Sequence, residues 1–154
     1  MKPNYIIIPL IMIIVSVAGS LLTSAGMGWY QTLKLPKLAP PGFAIGTVWT
    51  VIFLLTTISA LIFYNTARRD KKFKWIIVFF VANAILNAFW SFLFFTQHWI
   101  TISIIEMVVL DLTIIILMIL IWPISRLASL LLIPYAAWVA FATFLAYGIH
   151  LLNS

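Results

Sequence analysis

Residues 29–49 read WYQTLKLPKLAPPGFAIGTVW, the one long stretch of this chain that is neither a continuous apolar run nor a short connector. It gathers aromatic side chains, three prolines and two lysines, Lys34 and Lys37, between two apolar segments. A connection this long and this stiffened by proline is more often a lid or a binding element than a plain linker. The rest of the sequence decides what it covers.

Working outward, the chain is 65% hydrophobic and only 8% charged, with a mean hydropathy of +1.20. Soluble domains carry about 25% charged residues, so the solvent for most of this surface is lipid. There is no cysteine, which removes disulfides, thiol redox chemistry and cysteine metal sites. The net charge of +6 is concentrated in Arg68, Arg69, Lys71, Lys72 and Lys74, between two apolar segments. A run of that kind sets membrane topology and meets anionic headgroups. It lacks the aromatic interleaving and motifs of a nucleic-acid surface, so no nucleic-acid partner is expected.

A helix needs roughly 20 apolar residues to cross a hydrocarbon core. Five stretches meet that length, at residues 5–25, 43–66, 73–95, 100–122 and 124–152. The predicted fold is an all-α integral membrane protein, one domain over residues 1–154 made of a five-helix bundle with a long structured loop between helices 1 and 2. The first span is too long for a signal-peptide core and is expected to be retained. Seven positive charges lie on the amino-terminal side (Lys2, the basic run and Arg126), against Lys34 and Lys37 on the other. The positive-inside bias therefore predicts an inner N-terminus, with the long loop and the C-terminus outside.

Polar residues inside a bilayer are costly and become candidates for function. Asn83, Asn87, Trp90 and Phe94 follow one another at spacings of four, three and four, which places them on one helical face. Interhelical hydrogen bonding suffices to explain Asn83; for Asn87, beside Trp90, bonding and ligand contact both stand. Glu106 and Asp111 are the only acids within the spans, and five residues apart they point about 140° away from each other. Partnering to a neighbouring helix accounts for Asp111, with a proton-coupled transport site as the sharper alternative. Pro134 is expected to bend the fifth span and expose the carbonyl of Leu130. Beyond it, Tyr135, Trp138, Ala142 and Leu145 share a face, as packing or as a ligand wall. Ser16, Ser20 and Ser24, with Gly19 and Thr23, read as a helix-packing face. Trp29, Tyr30, His98 and Trp99 fall where an interfacial aromatic belt belongs. His98 and His150 are too isolated in sequence to argue for a metal site, and no cofactor is implied.

Depth arithmetic draws several of these together. Trp49 lies about 9 Å below the start of its span, and Asn87 and Trp90 roughly 12 and 8 Å from the end of theirs, at the rise of an ideal helix. Glu106 lies near the depth of Trp90, so Trp49, Asn87, Trp90 and Glu106 are expected to share a level beneath the loop, with Trp138 deeper. An apolar pocket carrying a few polar groups is the usual form of a small-molecule site.

Three signatures, WY followed by PPGFAIGTVWT, then NAFWSFLFF, then LLIPYAAWVAFATFLAYGIHLLN, make the chain resemble the translocator protein or tryptophan-rich sensory protein family, also called the peripheral-type benzodiazepine receptor family. The resemblance extends over nearly the whole chain and suggests a bacterial member in the cell membrane. It implies a pocket open toward the first loop that binds porphyrins of the protoporphyrin type and, in some members, sterols or synthetic ligands. By motif position it assigns ligand contact to Trp49, Asn87, Trp90, Tyr135, Trp138 and Ala142, and lid roles to Trp29, Tyr30 and Pro41. It further implies a homodimer in membrane lipid. Light-dependent porphyrin breakdown is the alternative activity it brings; no catalytic residue is assigned, apart from Trp49 and Trp138 if the chemistry is photochemical. The sterol-recognition pattern is incomplete, since Tyr147 is followed by Gly148, Ile149 and His150 with no later basic residue.

Overall fold

The computed structural model describes residues 2–154. Its helices are α1 (Asn4–Tyr30), α2 (Gly42–Thr66), α3 (Lys71–Ser91), α4 (Ile100–Ile121), α5 (Arg126–Leu130) and α6 (Ile133–Asn153). A π-helical turn, Phe92–Thr96, continues α3, and α5 and α6 together make the fifth span. The five spans are 22 to 28 residues long and apolar enough to cross a bilayer. The protein is an integral membrane bundle, as its composition predicts.

The bundle is polar inside as well as apolar outside, because lipid solvates aliphatic side chains as well as a protein core does. On α4 the inward face carries Ser103, Glu106, Met107, Leu110, Thr113, Ile114 and Leu117. Ile105, Val108, Leu112 and Ile119 point outward and are exposed. Ile52, Phe63, Ile76, Ile114, Leu117, Ile121, Leu132 and Val139 belong to one buried cluster that extends from the middle of the bundle to the end away from the long loop. That same end carries the basic run. Asp70 caps α3 there by accepting from the Phe73 N–H at 2.9 Å, and the Arg69 guanidinium lies 4.0 and 4.1 Å from the Tyr64 and Phe73 ring centroids.

Two local departures from the sequence expectation shape the other end. The first helix runs on to Tyr30 and the second begins at Gly42, so the connection proper is residues 31–41. Helix continues through Gly26 because that residue packs on the backbone of the π turn. A Cβ there would overlap the Phe95 carbonyl oxygen and stand 2.6 Å from its Cβ. The fifth span is interrupted, where a bend was expected. Pro134 falls in the first turn of α6, where its missing N–H is harmless. The short α5 ahead of it is tied down by side chains: Ser59 Oγ donates to the Ala128 carbonyl at 2.6 Å and Ser129 Oγ to that of Met118 at 2.8 Å.

Candidate functional site

At the loop end, α1, α2, α3 and α6 separate to leave a cavity of about 1080 Å³, roofed by Leu35, Ala39, Pro40 and Pro41 of the loop. One wall is aromatic. Trp49 from α2, Trp90 and Phe94 from α3 and its π turn, and Trp138 from α6 line it. The Trp49 ring stacks on Phe53 at 5.6 Å, and Trp90 on Phe94 at 5.4 Å. The indole N–H groups of Trp90 and Trp138 are buried with no partner in the protein. α1 contributes Ser16, Ser20, Thr23 and Ser24 to the lining. Thr47 and Thr50 of α2 also line the space, although their hydroxyls are spent on the Phe43 and Gly46 carbonyls at 2.9 Å. The lining is therefore both aromatic and hydroxyl-bearing.

Of the residues singled out from the sequence, Tyr30, Pro41, Trp49, Asn87, Trp90, Trp138 and Ala142 all line this one space. Trp29 and Tyr135 do not. Trp29 lies on the outer side of the π turn, stacked on His98 with ring centroids 4.0 Å apart and edge-on to Phe94 at 5.5 Å. His98 holds the left-handed conformation (φ 59°) in the sharp reversal into α4. Tyr135 is 3% exposed and sits behind the wall, with its ring edge toward Trp49 at 6.1 Å. Its hydroxyl accepts from Asn87 Nδ2 at 2.9 Å and donates to Asn83 Oδ1 at 3.0 Å. Asn83 passes a bond on to Thr113 Oγ1 at 2.8 Å. The asparagines therefore divide: Asn83 ties helices together, while Asn87 does so and also lines the cavity.

Neither acid reaches this space. Glu106 is buried on the inner face of α4 with both carboxylate oxygens unpartnered in the protein, and Asp111 is half-buried on the flank of the same helix. His98 and His150, separate in sequence, share a shallow depression of about 400 Å³ with Asn153, at the same end of the bundle.

Three features had no sequence reading as part of a site. The hydroxyl face of α1 looked like helix packing. Its serine spacing does put the hydroxyls on one side, but spacing alone leaves open whether a neighbour closes on them. The π turn brings Phe95 to the cavity beside Phe94, without any proline or glycine to announce it. The third is a latch. Asn153 Oδ1 accepts from the Lys34 N–H and Asn153 Nδ2 donates to the Lys34 carbonyl, both at 2.9 Å. Beside it Gly148 makes room for Pro36, whose Cγ would lie 2.8 Å from any added Cβ. The loop is thus buttoned to the last turn of α6. Asn153→Ala removes both bonds, and the Lys34 amide is expected to exchange with solvent about thirtyfold faster, given roughly 1 kcal/mol for each of two neutral hydrogen bonds. Hydrogen exchange in lipid nanodiscs measures this; an unchanged Lys34 rate would show that the latch does not hold the loop.

Residues 6–152 match the TspO/MBR family. The chain is 37% identical over 126 residues to the membrane protein YtaB of Bacillus subtilis, covering 81% of this chain and 80% of that one. It is 34% identical over 125 residues to the tryptophan-rich protein TspO of Bacillus cereus, covering 81% and 80%. The human translocator protein is 26% identical over 123 residues, covering 79% of this chain and 73% of its own.

Proposed function

Since this chain belongs to the TspO/MBR family of membrane proteins, we propose that its loop-capped cavity receives a flat hydrophobic ligand, foremost a porphyrin of the protoporphyrin type, as a receptor or transporter-like protein. One observation carries the reading: indoles from α2, α3 and α6 face one space of about 1080 Å³. Ligand sites commonly measure roughly 300–1,000 Å³, so there is room for a macrocycle. Aromatic faces stack on a flat π system, and the α1 hydroxyls give its polar edge somewhere to go. Lys34 and Lys37, both exposed on the loop, would draw propionate groups toward the cavity mouth. The positive-inside bias of the sequence puts that mouth outside and the N-terminus inside, and a homodimer belongs to the same proposal.

Titrating the purified protein with protoporphyrin is the direct test. Saturable quenching of tryptophan emission together with a shift of the porphyrin's main absorption band is expected, and porphyrin that partitions only into empty nanodiscs to the same extent would defeat the reading. A second reading, light-dependent porphyrin breakdown, is favoured by Trp49 and Trp138 lining the same cavity, where a photoexcited macrocycle is placed to exchange an electron with an indole. Illuminating the saturated complex separates the two: equal porphyrin loss with both tryptophans changed would reduce the breakdown to unassisted photochemistry. The proton-coupled exporter has less support, because neither Glu106 nor Asp111 lines the cavity.

A further inference from the structure

A single file of hydrogen bonds runs from the cavity wall into the interface between α3 and α4. Asn87 Nδ2 donates to the Tyr135 hydroxyl at 2.9 Å, and that hydroxyl donates to Asn83 Oδ1 at 3.0 Å. Asn83 Nδ2 donates to Thr113 Oγ1 at 2.8 Å, and Thr113 Oγ1 donates to the Leu110 carbonyl at 2.6 Å. Asn83, Asn87, Thr113 and Tyr135 are all buried, between 3 and 9% exposed. Each hydroxyl has one proton to give, so the file has a direction. In this direction the atom left at its head is Asn87 Oδ1, and Asn87 lines the cavity. The cavity therefore meets an acceptor.

The same heavy atoms support the opposite direction. An amide turned end for end exchanges oxygen and nitrogen, which are nearly the same size and differ in hydrogen-bonding sense. Thr113 then donates to Asn83 Oδ1, Asn83 Nδ2 donates to the Tyr135 hydroxyl, and Tyr135 donates to Asn87 Oδ1. Asn87 Nδ2 is left facing the cavity as a donor. Only the extra bond to the Leu110 carbonyl is given up, and that carbonyl keeps its place in the helical ladder. One direction has four bonds and the other three, and a ligand carbonyl accepting from Asn87 Nδ2 restores the fourth.

We infer that this file is a reversible polarity selector, through which Asn87 offers the cavity an acceptor or a donor, so that the site accepts flat ligands bearing either an N–H or a carbonyl at that edge. The inference rests on the cavity being a ligand site. Thr113 acts in it as a positioning residue. It lies on α4, away from the cavity, and its bond to Leu110 is what favours the acceptor state.

Two planar tricyclic probes of similar size test this: carbazole, which has an N–H donor, and fluorenone, which has a carbonyl acceptor. Thr113→Val makes the two directions equal in bond count, so the ratio of carbazole to fluorenone affinity is expected to fall about fivefold, the equivalent of one neutral hydrogen bond. In a Tyr135→Phe background the same substitution should leave the ratio unchanged, because the file is cut. In the unsubstituted protein, fluorenone should shift the side-chain amide resonances of both Asn87 and Asn83, whereas carbazole should shift those of Asn87 alone. That measurement decides the matter even where a variant does not fold. An Asn83 signal indifferent to fluorenone while Asn87 responds, or a Thr113→Val effect equal on both probes, would overturn the selector and leave the cavity reading standing. No response at Asn87 to either probe would remove both.

Discussion

Gly26→Ala is expected to lower the stability of the bundle by about 2–3 kcal/mol, the upper part of the range for overpacked sites. The added methyl has nowhere to go. It meets the carbonyl oxygen of Phe95, with Phe95 Cβ at 2.6 Å and the carbonyl carbon at 2.8 Å. Two of these three atoms are backbone, so no rotamer change relieves the contact, and α1 and the π turn must part. Gly28, two residues on in the same helix, is the control, since a Cβ there meets nothing within 4 Å. At that position alanine should be neutral or should stabilise by about 0.5–1 kcal/mol, because glycine loses more backbone freedom on folding. Thermal unfolding of the two variants in the same lipid measures the difference. Equal melting temperatures would mean that α1 is not held against the π turn. The effect should reach the site as well, because the turn displaced by α1 carries Phe94 and Phe95, both in the cavity wall.

That pair of glycines shows where the sequence is readable and where it is silent. Span length reports the thickness of a bilayer whatever the tertiary arrangement, so five crossings are plain in the sequence. Which face of each span turns inward is harder to see. In a soluble helix the apolar stripe marks the core, but in lipid both faces are apolar and only scattered polar residues betray the interior. Asn83, Asn87, Ser103, Glu106 and Thr113 do so, and all are buried. The serine face of α1 follows the same rule with a different outcome. Small hydroxyl residues let helices approach closely, yet here the partner stays back and the hydroxyls line a cavity. Sequence motifs cannot separate neighbours that differ by a fraction of a turn. Trp29 and Tyr30 are adjacent, about 100° apart around the helix. One turns outward onto His98 and the other into the cavity. Tyr135 and Trp138 are three residues apart, enough for one to sit behind the wall while the other forms it. The break ahead of Pro134 depends on Ser59, from another helix, satisfying the Ala128 carbonyl. No local reading of the fifth span contains that contact.

Trp138→Ala is expected to weaken porphyrin binding by about thirtyfold, while Trp29→Ala should change it by less than about threefold. An aromatic side chain of this size buries roughly 200 Å² when fully covered. A macrocycle lying against Trp138 would cover somewhat under half of that, about 80 Å². At roughly 25 cal/mol per Å² the lost contact is about 2 kcal/mol, which corresponds to about thirtyfold in Kd. Trp138→Phe keeps a six-membered ring in the wall and should cost much less, about threefold, with weaker quenching of the remaining tryptophans. Because the protein has seven tryptophans and each variant removes one emitter, affinity is better read from the porphyrin's own absorption band than from protein fluorescence. Trp29 makes the comparison sharp. It belongs to the same sequence signature as Tyr30, but its ring is spent on His98 and on the outer edge of Phe94. A motif-based account of the site predicts comparable losses at Trp29 and Trp138; the geometry predicts unequal ones. Equal losses would mean that the loop end rearranges around its ligand, and an unchanged Kd in Trp138→Ala would move the macrocycle to some other part of the cavity.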